Sequence, residues 1–148
     1  MCGIAGFWGE EVLPKSRIEG VQDVLAHRGP DDSGSYQFRG QHHCVTFIHR
    51  RLSILDLDSR SAQPFRLGRQ VLIFNGEIYN YAELRRELTG LGCSFHTSGD
   101  TEVLAWVLQR WGEKGLDRLE GMWAFASYDE SSGRLLLCRD RFGEKPLY

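Results

Sequence analysis

Short apolar runs and period-two alternation along the chain predict a series of β-strands. Four segments carry this pattern: 3–8, 36–38, 122–126 and 134–138. A further strand starts at Val45 and continues into the segment 50–56. Runs of this length, bounded by Gly, Pro, Asp or Ser, are typical of strands. The polar stretch 129–133 separates the last two runs and indicates a hairpin, so we expect neighbouring strands to run antiparallel.

An Asn-Gly pair follows the apolar run 70–74 and predicts a tight turn at Asn75-Gly76. Asn-Gly is favoured in two-residue hairpin loops because both positions require positive φ. Ile78 and Tyr79 would then begin the returning strand. The polar segment 58–64, ahead of this hairpin, is interpreted as a loop.

Three other stretches show the spacing of apolar side chains that is typical of amphipathic helices. They cover residues 14–26, 80–90 and 100–111. We expect Val24 on the apolar face of the first helix. Asn80 and Glu83 have the spacing of a capping box, and Asp100 stands where it would cap the third helix. Antiparallel strands combined with a pair of adjacent helices favour a layered α+β domain over a doubly wound parallel sheet.

Composition narrows the possible classes of protein. The 148 residues are enough for one domain with a proper core, with 41% hydrophobic and 26% charged residues. The net charge of −2 includes no basic block, which argues against a nucleic-acid or membrane-surface partner. No apolar run has the length of a membrane span, and no secretory signal is present. We therefore expect a cytoplasmic protein whose four cysteines are reduced thiols.

The second residue, Cys2, carries the first candidate chemistry. Removal of Met1 would leave one residue with both a thiol and a free α-amine. Such an amine titrates near pH ~8, against ~10.4 for lysine, so at neutral pH it can act as a base for its own nucleophile. The alternative is that Cys2 is a small buried hydrophobe in the first strand.

Two further candidates would assist a nucleophile at Cys2. The side-chain amide of Asn75 and the backbone N–H of Gly76 are donors that would face a developing oxyanion, if their strand lies near Cys2. The guanidinium of Arg51, at the end of a strand, has the geometry to bind a carboxylate bidentately. A plain hairpin turn and a surface arginine beside Arg50 are the alternatives.

Two carboxylates, those of Glu77 and Asp100, stand at the edges of predicted elements. Either carboxylate would pair with the ammonium group of a substrate. Asp100 is equally suited to a helix N-terminus, where a negative charge interacts favourably with the helix dipole. Glu77 is equally compatible with a solvated turn.

The remaining candidate sites carry weaker signals. His42, His43, Cys44 and His49 lie close in sequence, but their spacing fits no zinc pattern and no metal site is predicted. His27 would be a general base or, alternatively, a loop-anchoring hydrogen-bond partner. No phosphate-binding loop is present in the sequence.

Several ordered motifs together resemble the N-terminal glutaminase domain of glutamine-hydrolysing asparagine synthetases, which are class II amidotransferases with an N-terminal nucleophile. The similarity runs over essentially the whole chain. The motifs are Cys2-Gly3-Ile4-Ala5-Gly6, His27-Arg28-Gly29-Pro30-Asp31-Asp32-Ser33-Gly34, His49-Arg50-Arg51-Leu52-Ser53-Ile54, Phe74-Asn75-Gly76-Glu77-Ile78-Tyr79-Asn80, Asp100-Thr101-Glu102-Val103 and Arg139-Asp140-Arg141-Phe142-Gly143-Glu144-Lys145-Pro146-Leu147-Tyr148.

This resemblance implies a four-layer α/β/β/α sandwich of two antiparallel sheets and a glutaminase reaction. Cys2 would attack the side-chain amide of glutamine and form a thioester, while its α-amine relays protons. Asn75 and Gly76 match the oxyanion hole of the family, and Arg51 matches the residue that binds the glutamine α-carboxylate. Contacts to the amide and α-ammonium ends are implied for Glu77 and Asp100. Backbone from Leu52 to Ile54 would line the pocket.

The resemblance also implies what would accompany this domain. Residues 1–148 correspond to a glutaminase domain that continues in the family beyond Tyr148 with further strands and a synthetase domain. ATP and magnesium would act only in that synthetase domain, no cofactor is expected in residues 1–148, and a homodimer is possible. Two alternatives remain open: a non-catalytic fragment that keeps the fold, and an amidotransferase with another acceptor, as in cell-surface polysaccharide modification.

Overall fold

Two antiparallel sheets form the centre of the domain in a computed structural model that describes residues 2–52 and 59–148. The first sheet, sheet A, contains strands β1 (Gly3–Gly9), β2 (Asp32–Arg39) and β3 (Cys44–Arg51). The second, sheet B, contains β4 (Phe65–Leu67), β5 (Gln70–Ile78), β6 (Gly121–Asp129) and β7 (Arg134–Arg139). The helices are α1 (Lys15–Leu25), α2 (Tyr81–Gly90) and α3 (Asp100–Trp111).

Sheet A has the order β1-β3-β2, so β3 is its central strand. β3 pairs with β1 through Gly3↔Arg50 and with β2 through Asp32↔Arg51. Both neighbours therefore meet the Arg50–Arg51 end of β3. This end of sheet A is where the start of the chain and the strand-end arginine come together.

Sheet B has the order β4-β5-β6-β7, and β5 pairs with β6 over nine residues, from Gln70↔Asp129 to Ile78↔Gly121. The prediction of a tight turn at Asn75-Gly76 is therefore wrong. Both residues stay in extended backbone, paired with Ala124 and Trp123. A continuous ladder outweighs the local turn preference of Asn-Gly, because each residue of the strand gains a partner on β6.

Alternation along the strands divides the core into two parts. Aliphatic and aromatic side chains fill the space between the sheets: Val45, Phe47, Val71, Ile73, Ala126 and Tyr128. The opposite face of β5, with Leu72 and Phe74, packs against α2 and α3. α1 contacts β1 and β3 on the outside of sheet A. The predicted α+β sandwich with four layers is confirmed.

Three residues at or near helix ends depart from what the sequence predicts. Asn80 precedes α2 but makes no side-chain cap; its amide binds Arg118 O at 2.9 Å and its oxygen accepts the Glu120 N–H at 3.1 Å. The N-cap of α3 is Gly99, and Asp100 is the first helical residue. Val24 is 72% exposed rather than on the buried face of α1. For Asn80 and Asp100, tertiary hydrogen bonds that local patterns do not encode engage the side chain.

All four cysteines carry free thiols, as the sequence predicts. Among the helices of the described residues, none has the length and apolar character required to cross a membrane.

Leu104 on α3 is fully buried against sheet B, whereas Leu91, just after α2, is 46% exposed. We expect Leu104→Ala to lower the free energy of unfolding by about 2–5 kcal/mol, because it removes packed methyl groups and leaves a cavity. Leu91→Ala, the matched control, should cost much less. Urea denaturation of the two variants measures the difference, and equal losses would contradict this assignment of the core.

Candidate active site

Strand pairing determines the position of Cys2. β1 begins at Gly3, directly after Cys2, and pairs with the end of β3. The thiol of Cys2 is half-buried and donates a long hydrogen bond to Leu52 O, with 3.9 Å between sulfur and oxygen. The start of the chain therefore lies beside the residues that follow β3, at one end of the space between the two sheets.

A cavity of about 110 Å³ opens at this end. Backbone and side chains from both sheets, from the start of α3 and from the last segment of the chain form its wall. The residues that line it are Cys2, Arg51, Leu52, Ser61, Gln63, Phe74, Asn75, Gly76, Glu77, Gly99, Asp100, Thr101, Met122 and Lys145.

β5 crosses the wall of this cavity with the sequence Asn75-Gly76-Glu77. Asn75 and Glu77 have the same parity as Ile73, so their side chains lie on the face of β5 that looks toward sheet A. At Gly76 the backbones of β5 and β6 approach so closely that a Cβ would stand 2.2 Å from Met122 O. Only glycine fits at this position of β5.

Arg51 is a buried cation held at the end of β3. Its guanidinium donates from Nη2 to Ser61 Oγ at 2.9 Å. Its backbone carbonyl accepts the N–H of Asp31 at 3.0 Å. The neighbouring Arg50 binds the carbonyl of Gly29 through Nε at 2.9 Å, on the opposite side of the sheet. The loop that precedes β2 thus fixes the backbone around Arg51.

Asp100 supplies a buried carboxylate on the opposite wall. It is 6% exposed, and its Oδ2 accepts the N–H of Ile78 at 3.0 Å. Burial raises the pKa of Asp100 from 3.8 to about 6, with the charge of Glu77 adding to the shift and backbone hydrogen bonds opposing it. The cavity therefore holds one arginine, one lysine and two carboxylates, so a zwitterionic ligand finds partners for both of its charges.

The structure gathers the predicted site residues around this one cavity. Those that lie in residues 2–52 and 59–148 all line it: Cys2, Arg51, Leu52, Asn75, Gly76, Glu77 and Asp100. Ile54 was predicted to line the pocket, but it lies outside the described residues.

The sequence interpretation did not predict the other seven lining residues: Ser61, Gln63, Phe74, Gly99, Thr101, Met122 and Lys145. Ser61 and Gln63 both lie in the segment 58–64, which the sequence predicts as a loop and whose composition does not point to a site. Lys145 belongs to the last of the motifs that carry the family resemblance, and this motif was the available signal. Asp140 accepts the backbone N–H groups of Glu144 and Lys145 at 3.0 and 2.9 Å, which folds this segment back toward the cavity.

No histidine of the described residues lines this cavity. His27 donates one local hydrogen bond from Nδ1 to Val24 O at 2.8 Å, in agreement with a loop-anchoring role. His43 Nε2 lies 2.9 Å from the hydroxyl of Tyr128. His49 is buried between the sheets, and desolvation lowers its pKa to about 4. Within the described parts of the chain, no three His, Cys, Asp or Glu side chains form a group suited to a metal ion.

A comparison with models of protein families finds one family that matches the whole chain. A family model described as a glutamine amidotransferase domain matches residues 1–148. The chain therefore belongs to the glutamine amidotransferase domain family.

Within this family, the chain is similar to the N-terminal parts of proteins named as glutamine-hydrolysing asparagine synthetases. The chain is 39% identical to glutamine-hydrolysing asparagine synthetase 3 of Bacillus subtilis (strain 168), and the match covers all of this chain and 24% of the relative. It is 42% identical to a putative glutamine-hydrolysing asparagine synthetase of Mycobacterium bovis, with 25% of that protein covered. Asparagine synthetase B of Escherichia coli (strain K12) is 39% identical, with 26% covered. The chain spans about a quarter of these relatives.

A solved structure supports the fold independently. The glutamine phosphoribosylpyrophosphate amidotransferase of B. subtilis, solved with ADP and GMP, superposes on 93% of this chain and 37% of its own with a TM-score of 0.74. The two sequences are 23% identical. At that identity the likeness concerns the arrangement of sheets and helices.

The pKa of Asp100 predicts a pH-dependent effect of removing its charge. Because the folded-state pKa of about 6 lies above the ordinary 3.8, the folded protein binds more protons than the unfolded chain between these values. Asp100 therefore lowers stability as pH rises through this window. Asp100→Asn keeps an oxygen acceptor for Ile78 and removes the buried charge. We expect the variant to gain stability relative to wild type from about pH 4 to about pH 8.

Urea denaturation of wild type and Asp100→Asn at both pH values measures this gain. Asp117→Asn is a suitable control, because Asp117 is an exposed aspartate, 84% accessible, away from the cavity. A difference between wild type and Asp100→Asn that is the same at both pH values would contradict the raised pKa.

Proposed function

We propose that this domain hydrolyses L-glutamine to L-glutamate and ammonia through a thioester on Cys2. The observation that carries the proposal is the convergence of Cys2, Asn75, Gly76, Arg51 and Asp100 on one cavity. A nucleophile, two hydrogen-bond donors and charges of both signs are the groups that this reaction needs. Membership of the glutamine amidotransferase domain family supports glutamine as the substrate.

In the proposed complex, opposite charges orient the amino acid. The α-carboxylate of glutamine binds Arg51, whose buried guanidinium can offer parallel N–H groups to both oxygens. The α-ammonium binds Asp100, and Glu77 lies close enough to share in the recognition of the polar ends. Leu52, and Ile54 by resemblance, contribute backbone to the pocket. This orientation directs the side-chain amide toward Cys2.

The chemistry begins once Met1 has been removed and the α-amine belongs to Cys2. The amine takes the thiol proton, and sulfur attacks the amide carbon, so that a C–S bond forms and the carbonyl oxygen becomes an oxyanion. Collapse of this intermediate breaks the C–N bond, and the amine returns its proton to the departing ammonia. Water then attacks the thioester, its proton passes to the amine, and cleavage of the C–S bond releases glutamate.

Two hydrogen-bond donors on β5 stabilise the oxyanion in this mechanism. The Asn75 amide and the Gly76 N–H both belong to the cavity wall that contains Cys2. Two such donors, fixed before the reaction begins, stabilise developing charge without reorganisation, and loss of one costs about 10²–10³ in rate in comparable sites. Gly76 is suited to this role because the approach of Met122 excludes any larger residue.

We further propose that residues 1–148 act as the glutaminase domain of a longer, cytoplasmic asparagine synthetase-like protein. The support is the match to about a quarter of each curated relative, whose names describe glutamine-hydrolysing asparagine synthetases. In that arrangement ammonia passes to an ATP-dependent synthetase domain, which activates the acceptor aspartate, and no cofactor acts in the glutaminase cavity.

Replacing the nucleophile tests the reaction directly. We expect Cys2→Ala to reduce glutamate production from glutamine to background, because no thioester can form. Cys138→Ala is the matched control, since the Cys138 thiol is not part of the cavity lining and should be dispensable. Glutamate release is measured with purified protein whose N-terminus has been checked by mass spectrometry.

Glutamate production that survives in Cys2→Ala would refute the thioester mechanism. Protein that retains Met1 should be inactive, because its α-amine is not on Cys2. An inactive wild type with a correctly processed N-terminus would instead favour a non-catalytic domain that keeps the fold.

The role of Arg51 predicts a binding defect. We expect Arg51→Gln to raise KM for glutamine about 10²-fold, with a smaller effect on kcat, because the lost charge contacts the non-reacting carboxylate. Arg86→Gln, on the exposed surface of α2, should leave both constants unchanged. Steady-state kinetics of both variants measure the effect. An unchanged KM in Arg51→Gln would remove this residue from the proposed binding site.

A further inference from the structure

The outer edge of β5 offers more backbone donors than its neighbour can accept. β4 is only three residues long, and its pairing with β5 ends at Phe65↔Leu72. β5 continues for six more residues, to Ile78. Since successive N–H groups of a strand point to alternate sides, every second residue of this extension directs its N–H away from β6.

Side chains replace the missing strand at two positions of this edge. The N–H of Phe74 donates to Gln63 Oε1 at 2.6 Å, and the N–H of Ile78 donates to Asp100 Oδ2 at 3.0 Å. Gly76 lies midway between them and has the same parity. Its N–H therefore points to the same edge, between two occupied positions, where the cavity opens.

The position of Gln63 follows from the register of the sheet. Continuing the β4–β5 pairing by two residues would place Gln63 opposite Phe74. Its backbone does not make this pairing; instead its carbonyl lies against β2, where a Cβ on Gly34 would stand 2.0 Å from Gln63 O. The side-chain oxygen of Gln63 takes the place of the missing backbone carbonyl.

The other end of the Gln63 amide is held as well. Its Nε2 donates to Thr101 Oγ1 at 3.4 Å, which connects it to the start of α3. Gln63 thus joins three elements around the cavity: β2 through its carbonyl, β5 through Oε1 and α3 through Nε2. Because the amide has both a donor and an acceptor in use, its orientation is defined by its partners.

We propose that Gln63 is a positioning residue for the oxyanion donor at Gly76. Its side-chain oxygen accepts the N–H of Phe74. This hydrogen bond keeps the backbone of residues 74–76 extended, with the Gly76 N–H directed into the cavity. The inference deepens the proposed glutaminase function and rests on it. The contribution is geometric: a misplacement of reacting or stabilising groups by about 1 Å can cost about 10²-fold in rate.

A direct role in substrate binding would look different in kinetics. If Gln63 contacted glutamine in the ground state, its loss would raise KM. A residue that aims an oxyanion donor acts mainly in the transition state and lowers kcat instead. The ratio of the two effects therefore separates positioning from binding.

The test compares Gln63→Met with Gln70→Met. Both substitutions remove a glutamine hydrogen bond near β5, because Gln70 Nε2 donates to Ser127 Oγ at 2.9 Å, but Gln70 lies at the far end of the strand, outside the cavity lining. We expect Gln63→Met to lower kcat about tenfold or more, with KM changed less than about threefold. Gln70→Met should stay close to wild type.

Backbone amide NMR supplies a measurement that does not depend on activity. The Phe74 amide should exchange faster in Gln63→Met, and the Gly76 amide resonance should shift, whereas Gln70→Met leaves both unchanged. Gln63→Glu keeps an oxygen acceptor and should restore slow exchange at Phe74. If Gln63→Met does not fold, Thr101→Val, which removes the hydroxyl that holds the Gln63 amide, should also lower kcat and speed exchange of the Phe74 amide.

The outcomes distinguish this inference from the proposed function. A wild-type kcat in Gln63→Met, or an increase confined to KM, overturns the positioning role and leaves the glutaminase assignment intact. If wild type releases no glutamate, the proposed function fails. The NMR measurements on the Phe74 and Gly76 amides then test the positioning role of Gln63 by themselves. In that case a Gly76 shift no larger than in Gln70→Met also overturns the inference.

Discussion

The unequal lengths of β4 and β5 are the constraint on which the site depends. A long β5 is required to pair with β6 over nine residues, yet β4 covers only its first part. Buried backbone donors must find partners, so the uncovered edge has to be satisfied by something other than a strand. Gln63 and Asp100 satisfy two of these positions, and the opening left between them is where Gly76 meets the cavity. The cavity is thus lined by an interrupted sheet edge.

Buried carboxylates hold the segments that surround this opening. Asp100 accepts the N–H of Ile78, and Glu102, fully buried, accepts the backbone N–H groups of His96 and Thr97 at distances from 2.7 to 3.0 Å. Burial alone would raise the pKa of Asp140, but its backbone donors hold that pKa below the ordinary value. At Asp100 burial outweighs the backbone donors, which are fewer, and the charge of Glu77 adds to the effect, so its pKa rises. The pKa of a buried carboxylate in this domain therefore depends on how many backbone donors surround it.

Much of this arrangement was predictable because it depends on residue types and local spacing. Alternating and continuous apolar runs predicted the strands, and antiparallel neighbours predicted the layered α+β fold. The chemistry of Cys2, Arg51 and Asp100 singled them out, and the ordered motifs joined them into one family resemblance. The failures share a cause: Asn75-Gly76 was read as a turn and Asn80 as a cap, because a local preference was not weighed against a long-range partner. Gln63 was missed since its role exists only where β4 stops short.

The sequence by itself therefore determined most of the strands and helices and the identity of most groups that can take part in chemistry. Periodicity and side-chain chemistry are local properties, and they do not change when the chain folds. The tertiary structure alone decided the register of β5 against β6, the direction of the Gly76 N–H and the raised pKa of Asp100. These depend on which atoms approach across long stretches of sequence and on how completely water is excluded from the cavity.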